Sequence, residues 1–499
     1  RGCPVLIFQD RHGIRHRMDL SFRRFLQGFA GFLLLAGGAM AGEYSPPGLY
    51  DVEHRVLENG LRVILKPRRG AHTVAFRVVV GVGQHDYGCG WQETPHFLEH
   101  LLFTGTSRYS EAELDELVEQ HGGDWNAFTY AEDTVYALDI YARYSMLGLE
   151  VLHEIMTDSL LSSDDVETSR GIVEREAGGR PSAIQQWMRR KGVGWSATDM
   201  ALRQVLPGSN YICDEYEAAA GITRDHIIEA FRTYYVPGNM ALVVVGDFDA
   251  EAMLDVIGET FGSIAARPTP DRKWRVPPSP QVFAAVESTA NPVLGSGAEV
   301  GMVYRAVGMT SADYYPFYVL AAYLDTRLYE TIRIQGGLSY SPVSELGSLR
   351  DYGVFIAYAD VELDMQDRAL DLLRAEFARL QAPLDAEAVE LAKRRLLLRM
   401  VQGYESNGEL ADYYADSVFE YETGGTLVDQ EARIEQVTAA DLHRIATRYL
   451  RPDQAVEFRE VPTLTYTEFY LALVLLVIAA GVVLAMVLHR RLRRQAAGR

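Results

Sequence analysis

The chain has 499 residues, 48% of them apolar and 23% charged, with a formal net charge of −20. That length is too great for one compact core, so two domains with appendages are expected, and the composition excludes a disordered or collagen-like chain. The acidic balance argues against a nucleic-acid binder, which needs a basic surface to displace counterions from phosphates, and otherwise reads as a solvated surface.

Residues 1–41 read as an upstream segment followed by a secretory signal. Met18 precedes Arg23 and Arg24, an apolar stretch runs from Phe25 to Leu35, and Ala39 and Ala41 suit cleavage after Ala41. A first domain is expected over 47–265. Asn59-Gly60 within Leu57 to Leu65 predicts a hairpin, and Val74 to Val80 predicts a third strand.

His96-Phe97-Leu98-Glu99-His100 then falls on a predicted helix, with Thr94 as its cap and Pro95 in its first turn. Positions i, i+3 and i+4 share one helix face, so both imidazoles and the carboxylate project together. Two neutral imidazoles so placed can bind one Zn2+ while the carboxylate beside them takes a proton from water. Taken alone, the same five residues also suit an ordinary solvated helix face. The three cysteines, Cys3, Cys89 and Cys213, lack the C-x-x-C spacing of a thiolate zinc site. Cys89 and Cys213 either pair in an oxidising compartment or remain two buried thiols.

An internal repeat follows. Ile222-Thr223, Tyr234 and Pro237 correspond to Val437-Thr438, Tyr449 and Pro452 at an offset of 215, each copy reading as amphipathic helix, proline stop and strand. The five prolines of 266–280 predict an extended linker, and 281–462 a second domain related to the first. Pairs of helices between hairpins predict an α+β fold with largely antiparallel sheets. The uncharged run Phe469 to Leu488, flanked by Tyr466 and by Arg490, Arg491, Arg493 and Arg494, predicts a transmembrane helix, 469–488, and a basic cytoplasmic tail, 489–499. This topology puts the two domains on the extracytoplasmic side, expected to be the periplasmic face of a bacterial inner membrane.

The H-x-x-E-H order, continued as HFLEHLLFTGTSRYS, and the segment GGDWNAFTYAEDTVYAL at 122–138 resemble the pitrilysin/insulinase family of inverzincin metallopeptidases, in particular its two-domain, processing-peptidase-like members. In the second segment Asn126, Ala127, Thr129, Glu132, Thr134 and Tyr136 match the family block, and the likeness spans about 47–461. It implies a zinc-dependent endopeptidase acting on peptides or unfolded polypeptide segments. One Zn2+ per chain would sit on His96, His100 and a later glutamate, aligned by Arg170-Gly171-Ile172-Val173 as Glu176, with Glu174 as the alternative. Glu99 would be the general base, Asn126 and Ala127 would lie on a substrate-binding edge strand, and Arg333 and Tyr340 would reach substrate from the opposite wall.

The second domain has SADYYPFYVL where the first has its metal motif, so it is not expected to hold the ion. The family's four-domain clamshell implies a homodimer, or a heterodimer with a related subunit lacking the metal. Two departures stand out. Ser169 occupies a place often acidic in the family, and Cys89 to Pro95 is not the small, glycine-rich approach common there. The rival function is a membrane-anchored subunit that binds peptide or supports assembly without cutting.

Overall fold

The computed structural model describes residues 48–176, 179, 182–190, 194–209, 213, 219–272, 276–289, 293–420 and 427–497, and the expected signal segment lies outside them. The protein is α+β, built on two sheets of matching design.

The first sheet has six strands: β1 (Glu53–Val56), β2 (Arg62–Pro67), β3 (Thr73–Val80), β4 (Asp124–Thr129), β5 (Thr134–Tyr141) and β6 (Met240–Gly246), in the order β1-β2-β6-β3-β5-β4. The expected hairpin joins β1 to β2. Gly60 there has φ 93°, a left-handed conformation that glycine adopts without steric cost.

The second sheet comprises β7 (Val286–Ser288), β9 (Gly297–Val307), β10 (Val343–Ser348), β11 (Tyr352–Glu362) and β12 (Val456–Glu460). The short strands β8 (Leu294–Gly295) and β13 (Leu464–Thr465) pair separately. Read as β7-β12-β9-β11-β10, the second sheet reproduces β2-β6-β3-β5-β4. In each, the first pair is parallel and every other pair antiparallel.

The repeat read from the sequence forms equivalent structure. Helices Arg224–Tyr234 and Ala439–Tyr449 are capped by Thr223 and Thr438, whose hydroxyls accept from the His226 and Asp441 amides. Each helix is followed by a 3-10 turn beginning at Pro237 or Pro452, and then by β6 or β12.

Each half also covers the other. The helix Asn407–Glu420, from the second half, packs on β3 and β6, whereas α6 (Ala197–Val205), from the first, packs on β12, β7 and β9. The first sheet is thus covered on both faces, which explains why TVAFRVVV and MALVVVG read as near-continuous apolar runs rather than alternating ones. The exception is Arg77, 4% exposed in the middle of β3. It donates to Asp139 on β5 and to Asp412 and the Gly408 carbonyl of the incoming helix, tying the halves together.

On the other face of the first sheet lie α1 (Thr94–Leu102) and α3 (Ser145–Asp158); α2 (Glu111–Glu119) approaches β4, and α4 (Ser163–Glu176) packs on α1. A short helix, α5 (Ala183–Arg190), follows α4. The last described element is a helix, Tyr466–Ala497, whose stretch Tyr466–Arg490 is long and apolar enough to cross a membrane, with its large apolar side chains exposed rather than buried.

Candidate metal centre

Helix α1 presents two faces. Phe97, Leu98, Leu101 and Leu102 are fully buried against the sheet and α4, which turns His96, Glu99 and His100 away from the core. The helix begins one residue differently from expectation. Thr94 is its first residue rather than its cap, and its hydroxyl donates to the Trp91 carbonyl; Glu93 holds the cap position.

Helix α4 delivers the third group. Val166 and Val173 anchor it in the core, and Arg170 lies over the Phe97 ring while donating to the carbonyls of Ala219 and Ile222. Its last residue, Glu176, thereby arrives beside the histidines. Glu176 Oε2 lies 3.2 Å from His96 Nε2 and 3.5 Å from His100 Nε2, and the two Nε2 atoms are 3.1 Å apart. A tetrahedral ion with zinc–nitrogen and zinc–oxygen bonds of normal length separates its ligand atoms by roughly 3.3–3.6 Å, close to these spacings. The residues present therefore fit a zinc ion. Glu174, two residues back and so on another face of the helix, joins no such cluster among the described residues.

The centre is open on one side: the His96 and His100 side chains are 22% and 23% exposed, and that of Glu176 51%. Burial pushes the His96 imidazole down, but hydrogen bonds to Glu176 and Glu93 outweigh it and raise its pKa to about 10. Those same histidines hold the Glu176 carboxyl below its usual range, His96 through its hydrogen bond first.

Glu99 stands beside the histidines, and its Oε2 accepts a hydrogen bond from Thr129 Oγ1 at the end of β4. Among the described residues that strand pairs only with β5, so its outer backbone edge is unpaired within the sheet, and α1 packs against it. Asn126 is exposed on β4 with its Oδ1 accepting from the Ala127 amide, while the Ala127 side chain is buried. The remaining block residues serve the fold. Glu132 accepts from the Arg350 amide of the second half, Thr134 donates to the Val82 carbonyl, and the Tyr136 and Tyr235 hydroxyls meet at 2.7 Å in the core. His121 lies just past α2 with its Nδ1 2.7 Å from the Leu117 carbonyl, as a residue ending a helix does.

Arg333 and Tyr340 are brought together elsewhere. The guanidinium of Arg333 sits 4.0 Å above the Tyr340 ring, Tyr340 is 70% exposed, and Arg333 lies in a π-helical segment, Tyr329–Gln335. Among the described residues neither touches the histidine–glutamate cluster. The helix equivalent to α1 in the second half, Tyr314–Leu328, contains no histidine.

Two further features frame the centre, the first being the pairing that the sequence had left open between Cys89 and Cys213 and the second a contact that the sequence reading had missed. Cys89 and Cys213 form a disulfide, with Cα atoms 5.3 Å apart across 124 residues, and it anchors the 3-10 turn Cys89–Trp91 that leads into α1. Glu93, 3% exposed, places its Oε2 2.7 Å from His96 Nδ1. A carboxylate three residues before a helical histidine was a signal available in the sequence.

Residues 62–189 match the family described as insulinase (peptidase family M16), and residues 221–396 match the peptidase M16 inactive domain. The chain is 25% identical over 410 residues to an uncharacterized zinc protease of Mycobacterium tuberculosis, covering 79% of this chain and 90% of that protein. It is 24% identical to the mitochondrial-processing peptidase subunit beta of Lentinula edodes, covering 80% of this chain and 87% of that one. Its fold is similar to that of a protease from Helicobacter pylori, with a TM-score of 0.69, 20% identity, and 82% and 99% of the two chains covered.

Proposed function

We propose that this chain, which belongs to the two-domain pitrilysin/insulinase family of peptidases, is a zinc-dependent endopeptidase acting on peptides or unfolded polypeptide segments. The observation that carries this reading is the convergence of His96 Nε2, His100 Nε2 and Glu176 Oε2 at mutual distances of 3.1–3.5 Å with Glu99 beside them. Zinc held on these three residues would lower the pKa of water and polarise the scissile carbonyl.

The chain's own residues account for the rest. Thr129 holds one oxygen of Glu99, which leaves the carboxylate oriented to take a proton from the attacking water and then deliver it to the leaving amine. No covalent intermediate is formed. The outer edge of β4 offers backbone groups to an extended substrate, with Asn126 and Ala127 on that strand, and main-chain pairing tolerates varied side chains. Arg333 and Tyr340 supply a guanidinium for substrate carbonyls or carboxylate and a phenol for the oxyanion. Among the described residues no hydrogen bond, ion pair or ring contact joins them to the metal cluster, which supports a dimer, of two copies or with a related subunit lacking the metal, in which they serve the other chain's centre.

The exposed apolar stretch Tyr466–Arg490 reads as a membrane anchor, because among the described residues its leucine, valine and isoleucine side chains are left uncovered by protein. The Cys89–Cys213 disulfide suits an oxidising compartment, which supports catalytic domains on the extracytoplasmic face.

The test measures metal content and peptide hydrolysis together on the full chain in detergent, for wild type and Glu99→Gln. The expected result is about one zinc per chain in both, with chelator-sensitive cleavage in the wild type alone. Zinc without cleavage in either would favour a non-catalytic subunit, and absence of zinc would overturn the reading.

A further inference from the structure

We propose that Glu93 is a positioning residue that fixes the tautomer and orientation of His96, a role resting on the zinc reading above. The argument begins with what Glu93 does not do. It occupies the N-cap position of α1, where an acidic side chain ordinarily turns back to accept from the amides of the first turn, yet it makes no cap hydrogen bond. Pro95, in that first turn, has no N–H to offer it, which removes one competing donor.

Both carboxylate oxygens are used elsewhere. Oε2 meets His96 Nδ1 at 2.7 Å, and Oε1 accepts from Gln84 Nε2 at 3.2 Å. Burying a carboxylate is costly without such partners, and Glu93 is 3% exposed.

Gln84 is itself held. It opens the 3-10 turn Gln84–Asp86, and its amide donates to the Tyr130 carbonyl at 3.0 Å while that of His85 donates to Ala131 at 2.8 Å. Gly83, just before it, passes so close to the 130–132 backbone that a Cβ there would lie 2.5 Å from Ala131 and Glu132. Arg272 closes the turn from outside through paired bonds to Asp86 at 2.8 and 2.9 Å. The chain of contacts runs from a rigid turn through Gln84 to Glu93 and then to His96.

The chemical consequence concerns the other ring nitrogen. A carboxylate accepting from Nδ1–H places the proton on Nδ1 and leaves the Nε2 lone pair directed at the point shared with His100 and Glu176. Helix α4 provides no carboxylate for this purpose at Ser169, which is 1% exposed and uncharged. The carboxylate comes instead from the segment leading into α1. The same geometry gives Pro95 a purpose, and it accounts for the departure of the lead-in from a glycine-rich approach.

Glu93→Gln, Glu93→Leu and Glu93→Ala in the full chain test this, with zinc affinity read by competition against a chromophoric chelator and melting of the metal-free protein as the folding control. The glutamine amide still offers an oxygen to Nδ1–H, so its affinity should stay within a few-fold of wild type, whereas leucine or alanine should weaken zinc binding by about 10–100-fold. Either apolar variant suffices if it melts like wild type without metal. An apolar variant that keeps wild-type affinity would overturn the positioning role and leave the zinc site standing. So would a glutamine variant as weak as leucine, because charge rather than the hydrogen bond would then be responsible. A wild type that binds no zinc would overturn the metal site and this role with it.

Discussion

Replacing Arg77 by methionine should loosen the join between the two halves. Arg77 is 4% exposed, and its guanidinium donates to Asp412 at 2.5 Å, to Asp139 at 2.7 Å and to the Gly408 carbonyl at 3.2 Å. Breaking a fully buried ion pair typically costs about 3–5 kcal/mol, chiefly because a charge is left buried without its partner. Here the Asp139 and Asp412 side chains are 47% and 50% exposed, so water can take over much of their solvation. Methionine also retains most of the apolar packing of the arginine stem. The expected loss is therefore smaller, about 2–3 kcal/mol, with part of it coming from the unpaired Gly408 carbonyl. Urea unfolding of the full chain in detergent measures it, and a double-mutant cycle with Asp412→Asn should return a coupling of about 1–2 kcal/mol. An unchanged unfolding midpoint for Arg77→Met, or additive single effects in the cycle, would refute the reasoning that this arginine joins the halves.

Three further outcomes follow from other parts of the molecule. Glu176→Gln should abolish stoichiometric zinc binding while Glu174→Gln retains it, as metal analysis of the two purified variants would show; the reverse pattern would transfer the ligand role to Glu174. Glu299 is pushed up to about 7, by burial first and then by the charges of Asp360 and Glu460, against a hydrogen bond from Thr198. The folded protein thus keeps a proton that the unfolded chain releases above its ordinary carboxyl pKa of about 4.5, so stability should fall as pH rises from there through 7. Glu299→Gln should flatten that slope and raise stability at pH 8 by about 1–3 kcal/mol, which denaturant titrations at pH 5 and pH 8 would check. Reduction of Cys89–Cys213, or Cys213→Ser, should destabilise the protein by about 2–5 kcal/mol, since the crosslink closes a long loop in the unfolded chain. Melting with and without reductant reads this, and Cys213→Ser should be insensitive to reductant.

Much of the architecture is written in local patterns of sequence. Asn59-Gly60 specifies a tight turn through backbone conformation alone, the apolar runs of β3 and β6 record burial on both faces, and the H-x-x-E-H spacing puts two imidazoles and a carboxylate on one side of any helix. The repeat at an offset of 215 residues likewise foretold two sheets of one design, because cap, helix and proline stop are set by neighbouring residues. Tertiary structure decided what depends on contacts between distant segments. Glu176 rather than Glu174 meets the histidines because of how Arg170 and two valines seat α4 on α1. Cys89 finds Cys213, and each sheet is completed by a helix from the other half, through packing that no local spacing encodes. Glu93 lies between the two cases: its distance from His96 was plain in the sequence, but whether its carboxylate would cap the helix or turn to the imidazole depended on Gln84, Pro95 and the buried space around them.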